Sequence, residues 1–245
     1  MGKPVCFFAA LLLLSFFSYG QSYDIVIRNG HVIDPKNNID AVMDIGIRNG
    51  KITAVAKKID TANAVQIVNA QGFYVTPGLI DIHTHDFFGT EPDHYLSNGL
   101  SAILPDGFTF RTGVTTVVDA GSSGWKSFDL FKKNIIDNSK TRILVMLNIV
   151  GEGMRGGPWE QDPRDMDGRL TAMLARANAK IVVGIKTAHF EGHDWTAVDQ
   201  AGEAGKLANI PVMVDFGGSM PPLSIEELFM KHLRPGDIFT HCYAQ

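Results

Sequence analysis

Val75-Thr76-Pro77-Gly78-Leu79-Ile80-Asp81-Ile82-His83-Thr84-His85 is an apolar run that ends on two histidines one residue apart. Pro77-Gly78 marks a turn, so a strand starting at Leu79 enters abruptly from another element. Successive side chains of a strand point to opposite faces. Asp81, His83 and His85 then share one face, and Ile80, Ile82 and Thr84 share the other. Two imidazoles about 7 Å apart along a strand can converge on one cation, because metal–N bonds of about 2 Å draw both rings inward. An exposed strand with two unrelated histidines is the plainer reading of the same letters.

Downstream of this strand, short apolar runs alternate with helical stretches, the pattern of βα units on a parallel sheet. The runs at 79–85, 115–119, 142–149, 181–186, 210–216 and 238–241 read as strands, and 125–138, 167–178, 195–208 and 223–232 as helices. Polar residues sit at the strand ends: His85, Asp119, Lys186, Asp215 and His241. In a TIM barrel those ends form the active-site face, and six strands fall short of the eight that close it. Upstream, 23–32 alternates as a strand, with Asn29-Gly30 as a hairpin signal, and Arg48-Asn49-Gly50-Lys51 repeats the device. Two more short strands follow at 66–68 and 73–75, giving an all-β annex.

The chain has 245 residues, 45% hydrophobic, with 22 basic and 26 acidic side chains for a formal charge of −4. That composition suits one full core, or a core with a small annex. The mild acidity gives no reason to expect nucleic acid or an anionic membrane as partner. Residues 1–20 differ from the rest: Lys3 precedes an apolar run over 5–17, and Ser18-Tyr19-Gly20 offers small residues for cleavage. The run is shorter than the roughly 20 residues of a membrane span, so the expectation is a cleaved signal peptide, no stable membrane anchor and an exported protein starting near Gln21. Of the two cysteines, Cys6 would leave with that signal and Cys242 would remain unpaired.

These motifs in this order resemble the amidohydrolase superfamily of metal-dependent TIM-barrel hydrolases. The resemblance runs from 24–35 (DIVIRNGHVIDP) through 77–85 and Gly184-Ile185-Lys186 to Thr240-His241-Cys242-Tyr243, and looks most like the dihydroorotase-related amidohydrolase/deacetylase branch. It implies an α/β fold: a TIM (β/α)8-type barrel over 77–245, here incomplete at about six βα units, preceded by part of a small β-sandwich over 21–76. It also implies zinc or another divalent metal, one or two ions, held by His83 and His85 at one site and His241 at the other. A carboxylated Lys186 would lie between them.

Lys186 ends an apolar strand on the face of Gly184 and Val182. Burial lowers a lysine's pKa and leaves an amine able to react with carbon dioxide, although lysines also snorkel from strand ends. Asp215 departs from the family pattern, which has histidine at the end of the fifth barrel strand. It is carried as a metal and catalytic residue with Lys186, since a carboxylate ligates zinc at about 2.0–2.2 Å. A weak or absent second metal, or His189 or His193 reaching in from the loop after Lys186, are the alternatives. Arg155, in a glycine-rich loop with Glu152, can fork onto a substrate carboxylate or lie in solvent. His189 and Arg155 are the substrate-binding candidates, and Asp81 a partner for a ligand imidazole.

No phosphate loop or nucleophile elbow is present, which leaves metal-activated water as nucleophile. The expected activity is hydrolysis of an amide or related ester bond of a small acyl compound, deacetylase-like. A dihydroorotase- or hydantoinase-like cyclic amide hydrolase is the alternative, and a truncated or degenerate metal-binding homologue the non-enzymatic one. The expected partner is a small-molecule substrate; a homo-oligomer stays open. Two further βα units, the last ending in an aspartate, are expected beyond Gln245.

Overall fold

A computed structural model of the chain describes residues 23–87, 102–216 and 218–243. The signal-peptide reading of 1–20 lies outside them. The chain divides into two compact units, residues 1–77 and 78–245.

The first unit is one five-stranded mixed sheet. β1 (Tyr23–Asp34) is central, pairing antiparallel with β2 (Ile39–Arg48) and parallel with β4 (Ala64–Asn69) and β5 (Tyr74–Val75). β3 (Lys51–Ala56) continues from β2 through Asn49-Gly50, both at positive φ as the two-residue hairpin turn requires. Asn29-Gly30, by contrast, makes no hairpin. It is a bulge inside the twelve-residue β1, with the register to β2 shifting between Ile27 and Gly30. Asn29 takes the left-handed conformation and donates its amide to the buried Asp44 carboxylate at 2.9 Å. An Asn-Gly pair supplies the same positive φ to a turn and to a bulge, so only the partner strand decides. The sandwich expected here has no second layer among the described residues.

The second unit carries a parallel six-stranded sheet whose strands lie in chain order. They are β6 (Leu79–Thr84), β7 (Val114–Gly124), β8 (Arg142–Asn148), β9 (Val182–Thr187), β10 (Val212–Asp215) and β11 (Ile238–Thr240). After the short α1 (Pro105–Phe108), the crossovers hold α2 (Phe128–Asn134), α3 (Gly168–Ala177) and α4 (Thr196–Ala208). The helix expected at 125–138 shortens to α2 plus a 3-10 turn. That expected at 223–232 becomes α5 (Ile225–Glu227) running into a π-helical turn. α3 starts where the Asp167 carboxylate accepts from the amides of Arg169 and Leu170.

Strands β7 to β11 divide their residues between two cores. Val117, Val145, Leu147, Ile185, Val212 and Val214 pack outward with Phe128, Phe131, Ala172, Ala201 and Ala204 of the helices. Val118, Ala120, Met146 and Met213 form a second, inner cluster. A parallel sheet whose central strands are buried on both faces and whose chain-ordered strands curl about an inner core is barrel-type architecture. One expectation fails in detail: Val182 packs in the outer cluster, not on the face of Lys186. An extra residue at Val183, where β9 slips against β8, reverses the alternation before Gly184.

Candidate active site

The inner face of the sheet delivers its polar residues to one end. β6 carries His83 on its last turn of pleat and His85 just beyond it; β9 carries Lys186; β10 ends on Asp215; His241 follows β11. The His83 ring lies 5.5 Å from that of His85, edge-on, and 5.1 Å from that of His241, stacked. His241 Nδ1 and His189 Nε2 lie 3.6 and 3.7 Å from the same Asp215 oxygen, Oδ2. Residues named from four separate strands thus gather at the C-terminal strand ends.

Burial sets their charge. Lys186 is fully buried, makes no ion pair among the described residues, and has its ammonium 3.8 Å from the Met213 sulfur. Desolvation lowers its pKa to about 8, against the pull of Asp215 and Asp119. The space it occupies exists because residue 121 is glycine. Gly121 has a φ of +94°, and a Cβ there would stand 2.5 Å from Lys186 Cγ. His83 and His85 are both lowered to about 4, first by burial and then by the Lys186 charge, so both are neutral imidazoles at pH 7.

Side-chain oxygens orient these rings. His83 Nδ1 meets Thr240 Oγ1 at 3.0 Å and His85 Nδ1 meets Ser122 Oγ at 3.3 Å. Asp81, expected to hold a ligand ring, instead accepts from the His83 backbone amide at 3.0 Å. Behind His85, Asp119 accepts from the amides of Asp86 and Ser122, and Thr84 Oγ1 donates to Asp86. Burial raises both carboxyls, Asp86 to about 7.

His189 reaches Asp215 from the loop after β9, as one of the alternatives had it, whereas Arg155 stacks 4.1 Å over Trp159 with Nη1 3.4 Å from Glu152. A cavity of about 610 Å³ lined by Lys126, Glu152, Trp159 and Asp165 includes none of the clustered residues. Thr240, Ser122 and Glu160, the partner of His189, were missed from sequence. Thr240 alone had a signal, its place beside His241.

The residue types suit a divalent cation: neutral imidazoles, a carboxylate, and a buried amine that makes no ion pair among the described residues. Among the described residues, no three His, Cys, Asp or Glu side chains are already closed onto one point. No helix among the described residues is long and apolar enough to cross a membrane.

No protein-family model matches the chain. It is 32% identical over 212 residues to a deacetylase of Brucella anthropi (strain ATCC 49188), covering 83% of this chain and 50% of that protein. Among solved structures, a dihydroorotase superimposes with a TM-score of 0.71 at 29% identity, over 89% of this chain and 57% of that one. An adenine deaminase does so with a TM-score of 0.72 at 28% identity, over 90% and 57%. The chain spans about half the length of the curated relatives it matches.

Proposed function

The chain is a relative of the amidohydrolases, and on that premise we propose that it serves a metal-dependent hydrolase cleaving the amide or ester bond of a small acyl compound, deacetylase-like. The observation that carries this reading is Lys186: a fully buried amine that makes no ion pair among the described residues, at a strand end shared with neutral histidines. His83, His85, His241 and Asp215 would hold one or two divalent cations, zinc first among them, with a carboxylated Lys186 between. When bound, the cations would acidify water and draw electron density from the scissile carbonyl.

The chain's own residues prepare that chemistry. Burial keeps the His83 and His85 lone pairs free of protons near neutral pH, and Thr240 and Ser122 fix their rings. Asp215, between the rings of His189 and His241, adds negative charge against the cations. His189 would meet the substrate, and Arg155 would do so from the glycine-rich loop ahead of the 3-10 turn. The likeness to a dihydroorotase at 29% identity favours a second reading, hydrolysis of a cyclic amide. Export from the cytoplasm, proposed from residues 1–20, argues against pyrimidine synthesis and for the acyclic substrate.

The test combines metal analysis by plasma mass spectrometry with acetate release from a panel of N-acetyl amino acids. Bound zinc and acetate release in the wild type, with Lys186→Ala losing both, are expected. Two full equivalents of zinc retained by Lys186→Ala would refute a bridging lysine.

A further inference from the structure

The loop after β8 grips the loop after β9 at one residue. Glu160 lies in a 3-10 turn (Gly157–Gln161), with its side chain almost wholly buried. Its Oε1 accepts from the Gly156 amide at 2.7 Å, and its Oε2 lies 2.8 Å from His189 Nδ1. The neighbouring Gln161 side chain binds the same segment twice. Its Nε2 donates to the His189 carbonyl at 2.7 Å, and its Oε1 accepts from the Glu191 amide at 2.9 Å. His189 itself has a φ of +58°, a left-handed conformation that costs a non-glycine residue on the order of 1 kcal/mol or more. Three side-chain bonds from one short turn therefore hold a strained residue in place.

The outcome is a directed ring. With Nδ1 turned to Glu160, only Nε2 is left to face the site, and it lies 3.7 Å from Asp215 Oδ2. That separation is too long for a direct hydrogen bond and leaves Nε2 available to another atom. The ring is half exposed although Glu160 is not, so the buried carboxylate serves an imidazole that opens to solvent. A buried carboxylate spent on a half-exposed histidine contributes little to the core, but it fixes where that histidine points.

We propose that Glu160 and Gln161 are positioning residues that hold His189 at the Asp215 side of the site, where its Nε2 meets an oxygen of the substrate. This rests on the hydrolase reading for the substrate's class and adds two residues to its machinery.

The test is a double-substitution cycle on acetate binding to the zinc-loaded full chain, measured by isothermal titration. Glu160→Ala and His189→Ala should each weaken acetate by about tenfold, the scale of one charge-assisted hydrogen bond. The double variant should be no weaker than His189→Ala, because Glu160 acts only through that ring. Glu160→Gln keeps the volume but offers one acceptor where both glutamate oxygens accept, and should fall between. Independently of any ligand, NMR of chain labelled with 15N-histidine should show the His189 Nδ1 proton protected in the wild type and exchanging in Gln161→Ala and Glu160→Gln. Additive losses, no saturable acetate binding by the wild type, or equal exchange in all variants would overturn the proposal. Acetate binding with a non-additive cycle, but no turnover of any acyl substrate, would support the positioning role while sinking the hydrolase reading.

Discussion

His83 Nδ1 lies 3.0 Å from Thr240 Oγ1, although the two residues are 157 apart in sequence and sit on the outermost strands of one sheet. The sheet curls far enough for its first and last strands to share a contact. A hydroxyl on the second ring nitrogen fixes the orientation of the first, as partners of metal-binding histidines do. Thr240→Val keeps the shape and removes the bond. It should lower divalent-cation affinity by about tenfold, the low end for such partners, with the far-UV spectrum unchanged. Competition against a chromogenic chelator measures it; unchanged affinity would make the contact incidental.

Lys186 gives a pH dependence in the chain stripped of metal. Its folded pKa, about 8, lies below the 10.5 of the unfolded chain. The unfolded state therefore binds more protons between those values, so stability rises as pH climbs from about 8 to 10.5 and is lost as pH falls back through 8. The buried ammonium costs about 3 kcal/mol below that window. Lys186→Met should stabilise the stripped chain at pH 7 by about 2–3 kcal/mol and flatten the alkaline rise, as read by urea unfolding at pH 7 and 9.5. An unstabilised variant would mean the amine is not charged and buried together.

His83 and His85 act at the acid end. Both fold with pKa about 4 against 6.5, chiefly through burial. Their contribution is complete above about pH 6.5 and is lost as pH falls towards 4, because protonation favours the unfolded chain. The double variant His83→Asn, His85→Asn should therefore lose less stability than wild type between pH 6.5 and 4.5. Parallel profiles in thermal melts would count against neutral, buried imidazoles.

Gly121→Ala should act on the site without replacing a candidate ligand. The new methyl would meet the Lys186 stem at 2.5 Å in a backbone conformation that alanine avoids. Something must move, at a cost of about 1–3 kcal/mol. We expect a lower melting temperature and reduced metal content in the same variant. Full metal content would show that Lys186 can shift and still serve.

Most strands of the second unit were legible because they carry apolar runs that close on a polar residue, the pattern that burial on both faces produces. Lys186, Asp215 and His241 could be marked for the same reason, since the runs end on them. Asn29-Gly30 misled because the dipeptide reports a backbone conformation and not the element that uses it. The ring partners were hidden for another reason. Ser122 and Thr240 meet histidines through the curl of the sheet, and Glu160 through the meeting of two loops, neither of which has a local signature. Asp81 failed in the opposite way: its spacing suits the ring, but the backbone amide two residues on is nearer.

Because the site draws on the first strand of the sheet and on the residue after the last, it has an order of assembly. A growing chain releases His83 and His85 long before His241 exists, and the sheet between them must be laid down strand by strand. The contact between His83 and Thr240 closes a loop of 157 residues, so its chain entropy is lost late in folding. A cation held by both edges would therefore be captured last, and would act as a check that the sheet has curled in full.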